Sequence, residues 1–397
     1  MHILIALTYY RPHYSGLTIY AERQARALAR RGHEVTILTS RFDRSLPAEE
    51  MRDGVRIIRL NVALHISKGV IMPAMPYRAW KLVQQADVIN LHVPQFDAAL
   101  IALYSRLQGK PVVLTYHCDL HLPHGLIHAI ANRVSNLANH LTARLAQVVV
   151  HNTRDYAENS PFLKRYLGKL IPIFPPVELA PTGPAEREAF REKIKLQPGE
   201  RIIGMVARLA TEKGVEYLAQ ALPRVLERFP TARVLVVGPY QNVLGEEQYY
   251  KRVMALVEPL KENWSFLGVV SPAELTAFFE ESEVTVLPSL NSTESFGMVL
   301  VESLACDTPV VATDLPGVRV PVKLTGSGLI VPVADAEALA QAILQVLEAP
   351  SRYRGEPEAL VRLSTPAAVA DAYEKIFELA RDRSRLKLAL RPEEPSA

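Results

Sequence analysis

An α/β fold built from two doubly wound halves is what the 397-residue sequence predicts, on three observations. Short apolar runs alternate with amphipathic stretches along the whole chain, the rhythm of right-handed βαβ units and parallel sheets. A proline-dense segment, residues 171–184, breaks that rhythm near the middle. The length suits two domains of ~100–200 residues each. The expected boundaries are 1–178 for the first half, 179–366 for the second, and 367–397 for a closing helix and basic tail.

The run Ile3–Leu7 reads as a buried strand. Leu17, Tyr20, Ala21, Gln24, Ala25 and Leu28 then recur at helical spacing, and Gly32 ends that helix as a glycine just past a C-terminus does. Strands follow at Val35–Thr39, Asp87–His92, Val112–Tyr116 and Val148–His151. Beyond the prolines the pattern restarts. Strands at Ile202–Val206, Arg233–Val237, Trp264–Leu267, Val284–Leu287 and Pro309–Ala312 alternate with helices at Val215–Phe229, Glu246–Leu260, Pro272–Glu280 and Gly297–Cys306. A helix near Ala367–Ala380 follows. Two such halves place a cleft between the carboxyl ends of their strands, where ligands bind in folds of this kind.

Composition removes several classes. Lys+Arg is 45 against 42 Asp+Glu, a net of +3, which makes no case for a nucleic-acid partner. Two cysteines, Cys118 and Cys306, cannot form a disulfide framework. No apolar run reaches the ~18 residues needed to span a bilayer, and Met1–Leu7 lacks the basic region of a signal peptide, so a cytoplasmic protein is expected.

Missing motifs narrow the chemistry. There is no G-x-G-x-x-G after the first strand, no G-x-x-x-x-G-K-[ST] and no G-x-S-x-G, which argues against dinucleotide, P-loop and α/β-hydrolase chemistry. No Asp-x-Asp pair occurs to hold a metal on a diphosphate. Phosphates would have to be met by cations and helix N-termini, with no metal or cofactor.

The strongest positive feature is Glu294-Ser-Phe-Gly-Met-Val-Leu-Val-Glu302. The first carboxylate falls in the loop after the strand ending Leu287-Pro-Ser and the second, eight residues or just over two helical turns on, inside the helix that begins near Gly297, so both can face one site. The N–H groups of Phe296, Gly297, Met298 and Val299 would open a helix toward an anion. One carboxylate suits hexose hydroxyls, the other ribose hydroxyls; by residue type alone, both also suit a solvated helix face. Arg208 and Lys213 flank the turn after the first strand of the second half, where two cations can converge on one diphosphate. Gly16, before the first helix, lets a ligand approach the backbone, and Gly238 ends a strand as a nucleotide site requires. His117 follows a strand of the first half and so reaches the expected cleft. With His121, His124 and His128 it is spaced like a metal cluster, but Pro123 and Gly125 interrupt a common helix face.

Taken in order from Ile3 to about Ala380, these features resemble the retaining glycosyltransferases of family 4, and Glu294-x7-Glu302 is similar to that family's Glu-x7-Glu signature. The resemblance implies the GT-B architecture, with a C-terminal helix crossing back to the first domain. It implies a nucleotide-sugar donor on the second domain and a saccharide or lipid-linked acceptor on the first. Arg208 and Lys213 would clamp the leaving diphosphate, Glu294 and His117 would orient the hexose, and Glu302 the ribose. Val270 falls in the stretch whose backbone reads the base, and Gly16 stands where the family has a glycine pair, the partner here being Ser15. Pro316 replaces a glycine near the sugar, which stiffens that loop. A nucleotide-sugar epimerase and a non-catalytic nucleotide-sugar-binding protein are the alternatives.

Two segments raise the question of a membrane. Arg381, Arg383, Arg385, Lys387 and Arg391 interleave with Leu386, Leu388 and Leu390 in the tail, and Leu126–Ala146 carries Ile127, Ile130, Val134, Leu137, Leu141 and Leu145 at helical spacing beside Arg133 and Arg144. One reading is peripheral contact with the inner face of a membrane; the other is a core helix and a solvated tail.

Overall fold

The computed structural model describes residues 1–66, 69–119, 126–243, 245–382 and 384–386; for residues 66 and 126–132 it describes the backbone alone. The chain divides into two units, Met1–Pro176 with Ser364–Ala397, and Val177–Leu363.

The first unit holds β1 (His2–Ala6), β2 (Glu34–Arg41), β3 (Glu49–Arg52), β4 (Val55–Asn61), β5 (Leu64–Ile66), β6 (Gly69–Ile71), β7 (Val88–Val93), β8 (Val112–Tyr116), β9 (Val148–His151) and β10 (Leu170–Pro172). Eight of them form one sheet in the order β10-β9-β8-β7-β1-β2-β4-β3, while β5 and β6 pair by themselves. All neighbours in the large sheet are parallel except β3 with β4. Parallel strands are covered on both faces, and here the helices divide cleanly. α1 (Gly16–Arg30) and the closing helix Pro366–Arg381 place Tyr20, Leu28, Tyr373 and Phe377 against Ile3, Ile5 and Val113. α2 (Met75–Gln85), α3 (Ala98–Leu107) and α4 (Leu126–Leu145) cover the opposite face, with Met75, Ile101 and Ala143 against Leu4, Leu91 and Leu114.

Ser15 explains the departure from a glycine pair. Its extended backbone starts α1 and its hydroxyl accepts from Thr18 N–H at 3.2 Å, a standard N-cap. The closing helix is held by polar contacts as well as by apolar burial. Tyr373 Oη lies 2.9 Å from both Tyr20 Oη and Thr115 Oγ1 in the interior, and Glu374 takes Arg31 and, at 2.5 Å, His33 Nε2.

α4 meets the reading of a core helix only in part: Ala143 and Leu145 pack on the core, but most of the described apolar stripe does not. Ser135, Asn139, Thr142 and Ala143 are buried, whereas Val134, Leu137 and Leu141 are exposed. Small and short polar residues allow close approach to the neighbouring helix, and Thr142 Oγ1 satisfies itself on Ala138 O at 2.8 Å. Ile127 and Ile130 have side chains outside the described residues. In the tail, Leu386 is buried and Arg385 meets Asp382 at 3.4 Å; Arg383, Lys387, Leu388, Leu390 and Arg391 lie outside the described residues.

The second unit holds β11 (Arg201–Val206), β12 (Ala232–Val237), β13 (Trp264–Gly268), β14 (Val284–Leu287), β15 (Val310–Thr313) and β16 (Gly328–Val331), all parallel, in the order β13-β12-β11-β14-β15-β16. Val215, Leu222 and Ile343 pack on one face, Phe190, Phe278 and Phe279 on the other. Helix Glu247–Val257 stops short of the expected Leu260 because Pro259 has no N–H to continue it, and a 3-10 turn completes the segment. The helix expected over Gly297–Cys306 is Met298–Leu304. Two cysteines are free, as the composition implies.

Tyr373→Phe removes a buried hydroxyl shared by two partners. Urea unfolding should show a loss of roughly 1–3 kcal/mol; an unchanged midpoint would mean that the closing helix is held by apolar packing alone.

Candidate active site

In an all-parallel sheet every strand ends on the same edge, so the loops that leave the carboxyl ends gather there. The chain builds outward from β11 through β12 to β13, then returns to the other side of β11 with β14. At such a reversal the two outgoing loops diverge and leave room for a ligand. Arg208 and Lys213 leave β11, and Glu294 and Gly297 leave β14, so the residues singled out by sequence stand on both sides of the reversal.

They also touch. Lys213 Nζ donates to Glu294 Oε2 at 2.6 Å, and Gly297 N–H donates to Glu294 Oε1 at 3.0 Å. One carboxylate therefore ties the turn after β11 to the start of helix Met298–Leu304. The backbones are pressed together to allow it. Gly214 has φ +65°, and a Cβ there would lie 2.1 Å from Pro288 O; Leu290 N–H donates to Glu212 O at 2.9 Å. Gly238 has φ +132°, a Cβ there would come within 2.4 Å of Ala207 O, and its N–H reaches Gly268 O at 2.8 Å. Only glycine permits these approaches. Val270 lies just beyond β13 on the same edge, its side chain packed against the apolar cluster that includes Phe278 and Phe279.

Three details refine the sequence reading. Glu294 lies in the loop before the helix, as expected, so a count of helical turns does not itself relate it to Glu302, which sits on the helix and is 5 % exposed. Phe296 precedes the N-cap Gly297 and buries its ring, so the N–H groups that open the helix begin with Met298 and Val299. Arg208 is paired with Glu212, one turn on, and Thr211 N–H and Oγ1 donate to Glu246 at 3.1 and 2.8 Å. Glu212 and Glu246 were missed. The four-residue spacing from Arg208 could have found the first; Glu246 is 35 residues from its partner and only the fold joins them.

Gly16 and His117 belong to the first unit, at the carboxyl ends of β1 and β8. His121 and His124 lie outside the described residues, as does the side chain of His128. His117 is buried, and its Nε2 lies 2.9 Å from His92 Nδ1 with the two rings stacked. His92 Nε2 lies 3.0 Å from Asn90 Oδ1. The far end of this chain settles its proton positions. Asn90 Nδ2 donates to Val113 O at 3.1 Å, and a carbonyl can only accept, so Asn90 Oδ1 is an acceptor. His92 Nε2 therefore carries a proton. Burial takes the His92 pKa down to about 3 and holds His117 well below the ordinary histidine range, so each ring is neutral with one proton near pH 7. His92 Nδ1 then accepts, His117 Nε2 donates to it, and His117 Nδ1 is left as a lone-pair acceptor. Asn90 and His92 carry no signal in the sequence beyond being polar residues in an apolar run.

Comparison with known proteins identifies the two domains. Residues 15–163 match the glycosyl transferase 4-like domain, and residues 186–360 match the glycosyl transferases group 1. A D-inositol 3-phosphate glycosyltransferase of Rhodococcus jostii is 29% identical over 364 residues, covering 85% of this chain and 78% of that protein. A glycosyltransferase of Methanocaldococcus jannaschii is 26% identical, covering 84% and 85%. Among solved structures, sucrose-phosphate synthase from Thermosynechococcus elongatus superposes with a TM-score of 0.74 at 23% identity, over 95% of this chain and 98% of that one. Anabaena HepE in complex with UDP-glucose gives 0.75 at 18%, over 95% and 99%. Two Rossmann-like halves, each matching a glycosyltransferase domain, define a transferase of GT-B fold. The chain joins a 4-like and a group 1 glycosyl transferase domain, which is consistent with family 4.

Selective 15N-histidine labelling should find His117 protonated on Nε2, and not titrating, between about pH 5 and 8. An Nδ1-protonated or doubly protonated ring would contradict the hydrogen-bond assignment. The folded protein refuses protons that unfolded histidines take up near pH 6.5, so these rings should lower stability as the pH falls from about 6.5 toward 4. His92→Phe should flatten part of that slope.

Proposed function

We propose that the enzyme transfers a hexose from a nucleotide-sugar donor to a hydroxyl acceptor, with retention of anomeric configuration and without a metal. The observation that carries the reading is the Lys213–Glu294–Gly297 bridge across the strand reversal, with Arg208 on the same turn. A diphosphate arriving there draws Lys213 from Glu294 and Arg208 from Glu212. The exchange gives the leaving group two cations and frees the Glu294 carboxylate to accept sugar hydroxyls. Two preorganised cations stabilise charge where it develops, the largest single contribution in many enzymes. The absence of an Asp-x-Asp pair supports cations in place of a metal. Anabaena HepE, which has the same fold, was solved with UDP-glucose, which supports a nucleotide-sugar donor.

In the proposed step the bond from the anomeric carbon to the diphosphate breaks, and its electron pair leaves with the phosphate. The acceptor hydroxyl attacks the same face, and its proton passes to the departing phosphate oxygen. His117 Nδ1 offers its lone pair to a sugar hydroxyl, Glu302 reads the ribose, and the backbone at Val270 and Gly238 meets the nucleotide. Gly16 gives a ligand access to the backbone of the first unit. The acceptor is a glycolipid, a polysaccharide or a small molecule, and the place of action is the cytoplasm or its membrane face. None of the described helices is long and apolar enough to cross a membrane.

A transfer assay over a panel of nucleotide sugars tests this. Arg208→Ala and Lys213→Ala should each cost roughly 2–4 kcal/mol in kcat/KM, and the double variant should lose less than the sum, because both act on one diphosphate. Small additive losses would make them surface cations. Glu294→Ala should abolish transfer with the fold intact, and near-normal turnover would remove Glu294 from the site.

Activity should survive EDTA, and proton NMR of the first-formed product should show the donor's own anomeric configuration. Loss on chelation with recovery on magnesium, or an inverted product, would overturn the metal-free or the retaining part of the proposal respectively.

A further inference from the structure

We infer that the outer faces of α2, α3 and α4 together form a docking surface for an anionic lipid bilayer. The three helices lie side by side on one face of the first unit's sheet: Trp80 of α2 meets Tyr104 of α3 edge-on at 5.2 Å, and α3 packs on α4. Seven of the fourteen exposed large apolar side chains among the described residues sit on these helices, which make up about a tenth of the chain. Leu137, 70 % exposed, Leu107, Tyr77 and Val134 are the most exposed of them, with Trp80, Leu141 and Leu103 beside them. A patch this concentrated marks an interaction site, where single exposed leucines would not.

α4 makes the point most sharply. It buries Ser135, Asn139 and Thr142 and leaves Val134, Leu137 and Leu141 in water, the reverse of what folding alone selects. A helix so oriented is completed by something apolar on its outer side.

Charge identifies what that is. Residues 75–85, 98–107 and 126–145 contain no Asp or Glu. Lys81, Arg106, Arg133 and Arg144 are exposed among the apolar side chains, and Lys81 lies 4.5 Å over the Tyr77 ring. Arg78 is turned away, 3.8 Å from Glu49, and is not counted. A second copy docking through the same patch would set cations against cations, since a two-fold contact pairs a surface with itself. A bilayer with anionic headgroups fits both features. Apolar and aromatic side chains enter the interface, and the long basic side chains reach the phosphates. The surface does not depend on the basic tail.

Co-sedimentation of the full chain with vesicles tests the inference. Phosphatidylcholine vesicles containing phosphatidylglycerol should pellet the protein at low salt and release it at high salt, while pure phosphatidylcholine should not. A combined Trp80→Ser, Leu107→Ser, Leu137→Ser variant and a combined Lys81→Glu, Arg106→Glu, Arg133→Glu variant should each bind at least about tenfold more weakly, with unchanged circular dichroism. A chain truncated after Leu386 should bind as the full chain does. The inference is overturned if the protein stays in the supernatant with anionic vesicles, or if both folded variants pellet like the parent. Binding that is lost with the tail also overturns it, as does light scattering that shows a dimer which the same variants dissociate.

Discussion

Strand direction is the constraint on which the rest of this enzyme depends. Six parallel strands deliver six loops to one edge of the second sheet, and the reversal of strand order beside β11 opens a gap that neither outgoing connection covers. Into that gap the chain sends Lys213 from one side and Glu294 from the other, and they meet at 2.6 Å. The two residues are 81 positions apart. Behind them the two backbones touch at Gly214, where a Cβ would meet Pro288 O, and on the other side of β11 Gly238 closes on Ala207 in the same way.

The first unit solves a different problem, holding a histidine neutral and in one tautomer within the protein interior. A buried polar group is costly unless its hydrogen bonds are made. Here they run from the Val113 carbonyl through Asn90 and His92 to His117, while Tyr373 of the closing helix joins the same polar interior through Thr115. The C-terminal helix thus belongs to the first unit by chemistry as well as by packing. The arrangement leaves a fixed lone pair on His117 Nδ1, with no proton to lose or gain near pH 7.

Much of the architecture was legible because buried parallel strands are short apolar runs: β1, β7, β8, β11, β12 and β14 are read from the sequence within a residue or two. β4 (Val55–Asn61) and β3 (Glu49–Arg52) were not, since arginines punctuate the first and the second is a polar edge. α2 and α3 passed unread as well, α3 because Ala98–Leu107 is nearly continuous in apolar residues and shows no helical stripe. Of the site, Arg208, Lys213, Glu294 and Gly297 could be found because each sits in a loop flanked by strand and helix. Glu212, Glu246, Asn90 and His92 could not, because a hydrogen-bond partner is defined by space and not by spacing. α4 is the instructive reversal: its periodicity is plain in the sequence, but periodicity alone says only that one face is apolar, not which face is turned inward.

In the proposed reading, the turn after β11 receives a diphosphate when Lys213 exchanges Glu294 for phosphate. Calorimetric titration with UDP and GDP, in parallel on the parent chain and on Lys213→Ala, measures that exchange without any acceptor or turnover. The account predicts that at least one of the two diphosphates binds the parent and that the variant loses at least about tenfold in affinity, as a charge-assisted hydrogen bond to phosphate would require. Equal affinity in the two proteins, or no binding of either nucleotide to the parent, would contradict it.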